Sequence, residues 1–169
     1  GGGPLLDGAI HNYDFALQML GPVDSVQASS AQFDKTSVGA DTASAILNFT
    51  SGAQHSLIWS WGMAPGAPSA SLNDLIGPQG SLQFGMTAST PPKSFDGSTQ
   101  GAFTFKGAKG KERVFTYKRR DMFLDQAKHV VKCFDKGEQP LVTGADAMAA
   151  LDVGLAVLKS GKVRRTISL

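Results

Sequence analysis

The stretch Thr42-Ala43-Ser44-Ala45-Ile46-Leu47-Asn48-Phe49-Thr50-Ser51-Gly52-Ala53-Gln54-His55-Ser56-Leu57-Ile58-Trp59-Ser60-Trp61 reads with a period of two. Ala43, Ala45, Leu47 and Phe49 alternate with polar residues apart from Ile46, and beyond Ser51-Gly52 the residues His55, Leu57, Trp59 and Trp61 alternate with Ser56 and Ser60. Successive side chains of a strand point to opposite faces, so such a run has one apolar side and one polar side. Two such runs joined by a short glycine turn make an antiparallel hairpin.

The same period extends in both directions. Residues 23–33 are small and β-compatible and predict a strand before the hairpin. A proline- and glycine-rich loop, residues 62–68, leads to two short strands, 70–76 and 81–84, joined through Gly77-Pro78-Gln79-Gly80. After a polar loop over 86–100, residues 102–106 and 113–117 form two more strands around a basic tip, 107–111, read as a solvated turn and not as a phosphate site. The sheet is expected to hold six to eight strands.

Helical periodicity brackets these strands. Pro4 suits the first turn of a helix and Gly21-Pro22 ends it, with Leu6, Ile10, Leu17 and Leu20 as its apolar stripe. A second helix spans 121–136, with Phe123, Ala127, Val130, Val131 and Phe134 on one face, Lys128 and Lys132 on the other, and Gly137 at its end. Thr143-Gly144-Ala145-Asp146 resembles a capping box and opens a third helix to about Ser160, stopped by Gly161, before a last strand over 163–169. Helix, strands, two helices and a strand predict an α+β fold, a mostly antiparallel open-faced sheet with helices on one face. The uncovered face, with Trp59, Trp61 and several phenylalanines on its strands, predicts a homo-oligomer.

Composition narrows the function. At 169 residues the chain suits one domain, and 41% hydrophobic with 18% charged residues is ordinary for a globular protein. No apolar run approaches the roughly 20 residues of a spanning helix, so no membrane partner is expected. Sixteen basic against fourteen acidic residues, with no basic face interleaved with aromatics, speak against nucleic acid. The single cysteine, Cys133, cannot pair within the chain and reads as a half-buried thiol; a cytoplasmic location is the expectation. Asn48-Phe49-Thr50 matches a glycosylation triplet but falls inside a strand.

Chemistry concentrates on the first helix. Asp7, His11 and Asp14 stand at i, i+4 and i+7, which on one continuous helix puts two carboxylates beside one imidazole. Histidine exchanges a proton near neutral pH, and a neighbouring carboxylate can fix its tautomer. The spacing alone is read first as that of a structural histidine with aspartates favoured by the helix dipole, and after it as that of a metal site. Against a metal, His55 and His129 lie on other elements and no cysteine pair assists. Tyr13 and the run Tyr117-Lys118-Arg119-Arg120 are secondary candidates, read respectively as packing and as solvated.

The run Gly1-Gly2-Gly3-Pro4-Leu5-Leu6-Asp7-Gly8-Ala9-Ile10-His11-Asn12-Tyr13-Asp14 resembles the opening of the C-terminal domain of the glucose-fructose oxidoreductase / inositol dehydrogenase / rhizopine catabolism (Gfo/Idh/MocA) family. Ser51-Gly52, the 76–82 turn, the 134–140 helix exit and the helix after Thr143 extend the resemblance over nearly the whole chain. It implies half of an NAD- or NADP-dependent oxidoreductase acting on a sugar, a cyclitol or a related hydroxylated substrate. His11 and Asp7 would be catalytic, and Asp7, His11 and Asp14 would meet the substrate. Gly2 and Gly3 would be this chain's only approach to the cofactor, and no metal is implied.

Neither a Gly-x-Gly-x-x-Gly between strand and helix nor the family's Glu-Lys-Pro lysine motif occurs here. The expectation is therefore a single substrate-binding and oligomerisation domain over residues 1–169, lacking its nucleotide-binding domain, without bound cofactor and inactive alone. A non-catalytic sugar-binding or dimerisation module of the same fold is the alternative.

Overall fold

A computed structural model describes residues 3–64, 66 and 74–169. In chain order the elements are α1 (Pro4–Asp7), α2 (Ile10–Leu20), β1 (Val23–Ala31), β2 (Thr42–Phe49), β3 (Gln54–Ser60), β4 (Asp74–Gly77), β5 (Gly80–Phe84), β6 (Gln100–Gly107), β7 (Glu112–Lys118), α3 (Met122–Lys136), α4 (Gly144–Val163) and β8 (Ile167–Ser168). The fold is α+β, and every strand pairing is antiparallel. The strands form two four-stranded sheets where one sheet of six to eight was expected. The chain divides accordingly into two compact units, residues 1–67 with 139–169, and residues 68–138.

In the first unit the strand order is β3-β2-β1-β8. Val26 faces Leu47, which faces His55, and Ala28 faces Ala45, which faces Leu57, so one sheet face is lined by small and branched apolar residues. Val26 and Leu47 are fully buried there, along with Leu5 and Tyr13 from the helices and Val153 and Val157 from α4. Gly154 permits this layer to close: a Cβ on it would lie 2.7 Å from Leu6 Cδ2 and 3.2 Å from Tyr13 Cε2. The fully buried Ser160 joins three segments, because its Oγ accepts from the Ala28 N–H at 2.8 Å and donates to the Arg165 carbonyl at 2.7 Å.

Two expected boundaries and one expected sheet face change in the structure. Gly161 does not end α4, since the helix runs on to Val163 and Arg164 takes the left-handed cap. A Cβ at Gly161 would lie 2.5 Å from Ser30 Oγ, so the glycine serves close approach to β1. The last strand contracts to Ile167–Ser168, the part that pairs with β1. Trp59, expected on an uncovered face, instead shares the inner face with Leu57 and packs on the core. The capping box is present as read, with Thr143 and Asp146 bonded reciprocally.

In the second unit the order is β4-β5-β6-β7. Leu75, Leu82 and Phe105 lie across from one another, as do Phe84, Phe103 and Phe115, so one face carries nearly all the aromatic residues. Phe84 meets Phe103 edge-on at 5.4 Å, and Tyr117 stacks on Phe103 at 5.2 Å. The opposite face buries Ala102 and Thr104, whose hydroxyl donates to Gly85 and accepts from the Thr87 N–H. Asp121 caps α3 through the Phe123 and Leu124 N–H groups, and Gly137 closes it in the left-handed conformation. Of the strand expected over 70–76, residues 70–73 lie outside the described residues and 74–76 are in β4.

Candidate functional site

The first helix is two helical segments where one was expected. Gly3, at φ 70°, caps α1, and its carbonyl accepts from the Leu6 and Asp7 N–H groups at 3.1 and 3.0 Å. The Pro4 carbonyl then accepts twice, from Gly8 N–H at 3.0 Å and from Ala9 N–H at 2.9 Å. The second of these bonds spans five residues and widens the turn. Gly8 and Ala9 keep right-handed helical angles across it, and α2 resumes from the Ala9 carbonyl, which accepts from Asn12 and Tyr13. Widened turns of this kind inside helices recur at functional sites.

Packing accounts for the break. A Cβ on Gly8 would stand 2.7 Å from Trp59 Cζ2 and 3.0 Å from Trp59 Nε1, so the bare glycine lets the indole of β3 press against the turn. Trp59 is thus the supporting residue that composition and spacing did not single out. A glycine inside a helical run is the signal that could have pointed to it.

Asp7 is the last residue of α1 and His11 the second of α2, and both are exposed. Asp14 is partly buried and accepts from the Gln18 amide at 3.4 Å. Because the step from Asp7 to His11 crosses the widened turn, the ideal i, i+4 juxtaposition does not carry over. No hydrogen bond or ion pair joins any two of Asp7, His11 and Asp14 among the described residues. The imidazole therefore stands without a carboxylate to orient it. Gly2 lies outside the described residues, and Gly3 is partly buried.

The remaining candidates have structural partners. Tyr13 is fully buried and its hydroxyl unpaired, and burial pushes its pKa up to about 12, so it packs and does not exchange protons near neutrality. Burial likewise lowers the pKa of His55, whose Nδ1 is unpaired. Tyr117 lies on Phe103, Arg119 donates to the Gln100 carbonyl at 2.9 Å, and Arg120 pairs with Asp125 at 2.7 Å. Cys133 is partly buried, its Sγ 3.5 Å from His129 Nε2. Among the described residues no three His, Cys, Asp or Glu side chains gather as a metal site. No helix among them is long and apolar enough to cross a membrane.

Comparison with known proteins fits this arrangement to a family. The model of the GFO/IDH/MocA C-terminal domain matches residues 1–83, the span that includes Asp7, His11, Asp14 and the first sheet's hairpin. Over residues 1–83 the chain is similar to a GFO/IDH/MocA C-terminal domain. It is similar to a myo-inositol 2-dehydrogenase of Thermotoga maritima, 27% identical over 176 residues that cover 99% of this chain and 49% of the relative. An oxidoreductase from Agrobacterium radiobacter, solved in complex with NAD+, L-tartaric acid and magnesium, superposes with a TM-score of 0.72 at 20% identity, covering 96% of this chain and 48% of that one. An aldose-aldose oxidoreductase from Caulobacter crescentus, solved with glycerol, does so with a TM-score of 0.73 at 21% identity, covering 95% and 46%. This chain spans about half the length of the relatives it matches.

Proposed function

We propose that this chain is the substrate-binding half of an NAD- or NADP-dependent oxidoreductase acting on a sugar, a cyclitol or a related hydroxylated compound, with Asp7 and His11 as its catalytic pair. One observation carries the reading. Asp7 and His11 stand exposed, with no hydrogen-bond partner among the described residues, on either side of a helical turn braced by Trp59. Polar side chains on a rigid support with unspent hydrogen-bonding capacity can meet a substrate from outside. The relatives' names support the substrate class, since one is a myo-inositol dehydrogenase and another an aldose-aldose oxidoreductase.

This chain's own residues fit such a cofactor in a limited way. Gly3, at a positive φ and with no Cβ, permits close backbone approach, while the chain's sequence has no dinucleotide-binding glycine motif. NAD or NADP, held by a separate nucleotide-binding domain, supplies hydride acceptance. His11 takes the proton from the reacting substrate hydroxyl, and Asp7 holds a neighbouring hydroxyl of the substrate by accepting its hydrogen bond. Asp14, fixed by Gln18, buttresses α2 beside the substrate. Alone, the two units form one substrate and oligomerisation domain without turnover. Its aromatic sheet face, with Phe115 and Tyr117 each about half exposed, is the surface for a second copy.

In the intact two-domain protein, His11→Ala lowers kcat by about 10²–10⁴-fold with a smaller change in KM, the signature of a lost general base. Unchanged turnover would leave His11 no such role. A second reading, a sugar-binding module without redox chemistry, is favoured by the missing carboxylate contact at His11. On that reading the intact protein has no turnover, and His11→Ala weakens sugar binding alone.

A further inference from the structure

The two units differ in charge. The second carries eleven basic and seven acidic side chains, net +4, and the first carries five and seven, net −2. Part of the second unit's excess converges on a concave feature. Gly80 and Gly107 face each other across β5 and β6, and a Cβ on Gly80 would collide with the Lys106 and Gly107 backbone. Beside this close backbone approach lies an open notch of about 240 Å³ lined by Gln79, Phe105, Gly107, Ala108, Lys111 and Arg113.

The lining has a definite chemical character. The Phe105 ring forms one wall, and Arg113 is its register partner on β7. Lys111 enters from the hairpin tip, held there by the Gly107 N–H donating to the Lys111 carbonyl at 2.9 Å. Glu112, the nearest carboxylate in sequence, is turned to Lys106 and Ser89. Among the described residues neither Lys111 nor Arg113 has an ion-pair partner. Two uncompensated cations in a concave site raise the local concentration of anions, and a guanidinium grips a carboxylate or phosphate in two-point fashion. A flat aromatic wall accepts the C–H face of a ring, and the Gln79 amide both donates and accepts toward hydroxyls. The volume suits a molecule smaller than the usual drug-sized ligand of roughly 300–1,000 Å³ pockets.

We infer that this notch is a binding site for an anionic monosaccharide, its phosphate or carboxylate on Arg113 and Lys111 and its ring face on Phe105. The site is built wholly from the second unit, at the 107–111 end of the aromatic face and apart from the Phe115–Tyr117 end proposed for a second copy, and stands independently of the catalytic reading of Asp7 and His11.

Titration calorimetry on the chain with glucose 6-phosphate, glucuronate, glucose and inorganic phosphate tests it, with amide shifts of Gly107 and Gly110 read in parallel by NMR. At least one anionic sugar is expected to bind saturably, at least tenfold more tightly than glucose or inorganic phosphate. Which anionic sugar binds more tightly assigns phosphate or carboxylate. Arg113→Gln weakens that binding at least tenfold without changing the thermal midpoint, and Lys128→Gln on α3 leaves it intact. Binding equal in Arg113→Gln, inorganic phosphate equal to the sugars, or no saturable binding at millimolar concentration overturns the assignment.

Discussion

The two four-stranded sheets of this chain are built on the same antiparallel plan but cover their apolar faces differently. The first places helices on its inner face, so Val26, Leu47 and Leu57 lie in a core with Tyr13, Val153 and Val157. The second leaves its aromatic face partly open and buries only Ala102 and Thr104 on the other side, with no residue of α3 buried. Every member of the buried core cluster belongs to the first unit. A covered sheet derives its stability from burial within the chain. A bare one depends on ring-to-ring contacts and on whatever meets it from outside.

The largest test of that contrast is a pair of truncations. Leu47→Ala, at a fully buried position, removes apolar contacts in a packed core and costs about 2–5 kcal/mol in urea unfolding. Phe115→Ala, at a position 52% exposed, costs about 1 kcal/mol or less. Equal losses would break the comparison. A smaller effect belongs to Ser160→Ala, which leaves the Ala28 N–H and the Arg165 carbonyl without their shared partner. About 1–3 kcal/mol is expected, together with faster hydrogen exchange at the Ala28 amide. If exchange there is unaltered, Ser160 does not tie α4 to β1.

How much of this was legible in the chain follows the same division. The 42–61 hairpin could be read because alternation and a glycine turn are local properties, and the β2 boundaries emerged as expected. The capping box at Thr143 was legible for the same reason. The break after Asp7 was not, because it depends on an indole arriving from β3, some fifty residues further along the chain. Gly161 likewise looks like a helix stop in sequence and is instead a contact with Ser30. The division into two sheets depends on which strands pair, and periodicity says only which residues share a face. At the site, the residue types Asp7 and His11 were readable while their contact was not, since one widened turn alters the rotation that spacing assumes.

The smallest expected effect, and the finest test, is the dependence of each unit's stability on pH. His55 lies on the covered sheet, and burial holds its pKa below the usual 6.5. As pH falls through 6.5, the unfolded chain takes up a proton that the folded chain refuses, so stability declines from there down to the folded pKa. Asp41 in the same unit is held below 3.8 first by the Asp34 N–H at 2.6 Å, with further help from Phe33 and Thr42. Its contribution is present above 3.8 and lost only as pH falls through the lower folded value. In the second unit, Asp96 is lowered mainly by the Ser98 hydroxyl and backbone, which places its loss in the same acid window. Between pH 7 and 5 the first unit should therefore weaken while the second does not. Both tryptophans, Trp59 and Trp61, lie in the first unit, so their fluorescence reports that unit, while the NMR signals of Tyr117 report the second. His55→Gln removes the titration and should flatten the tryptophan-detected midpoint between pH 7 and 5. A midpoint in that variant that still falls over the same range would assign the loss to a group other than the buried imidazole.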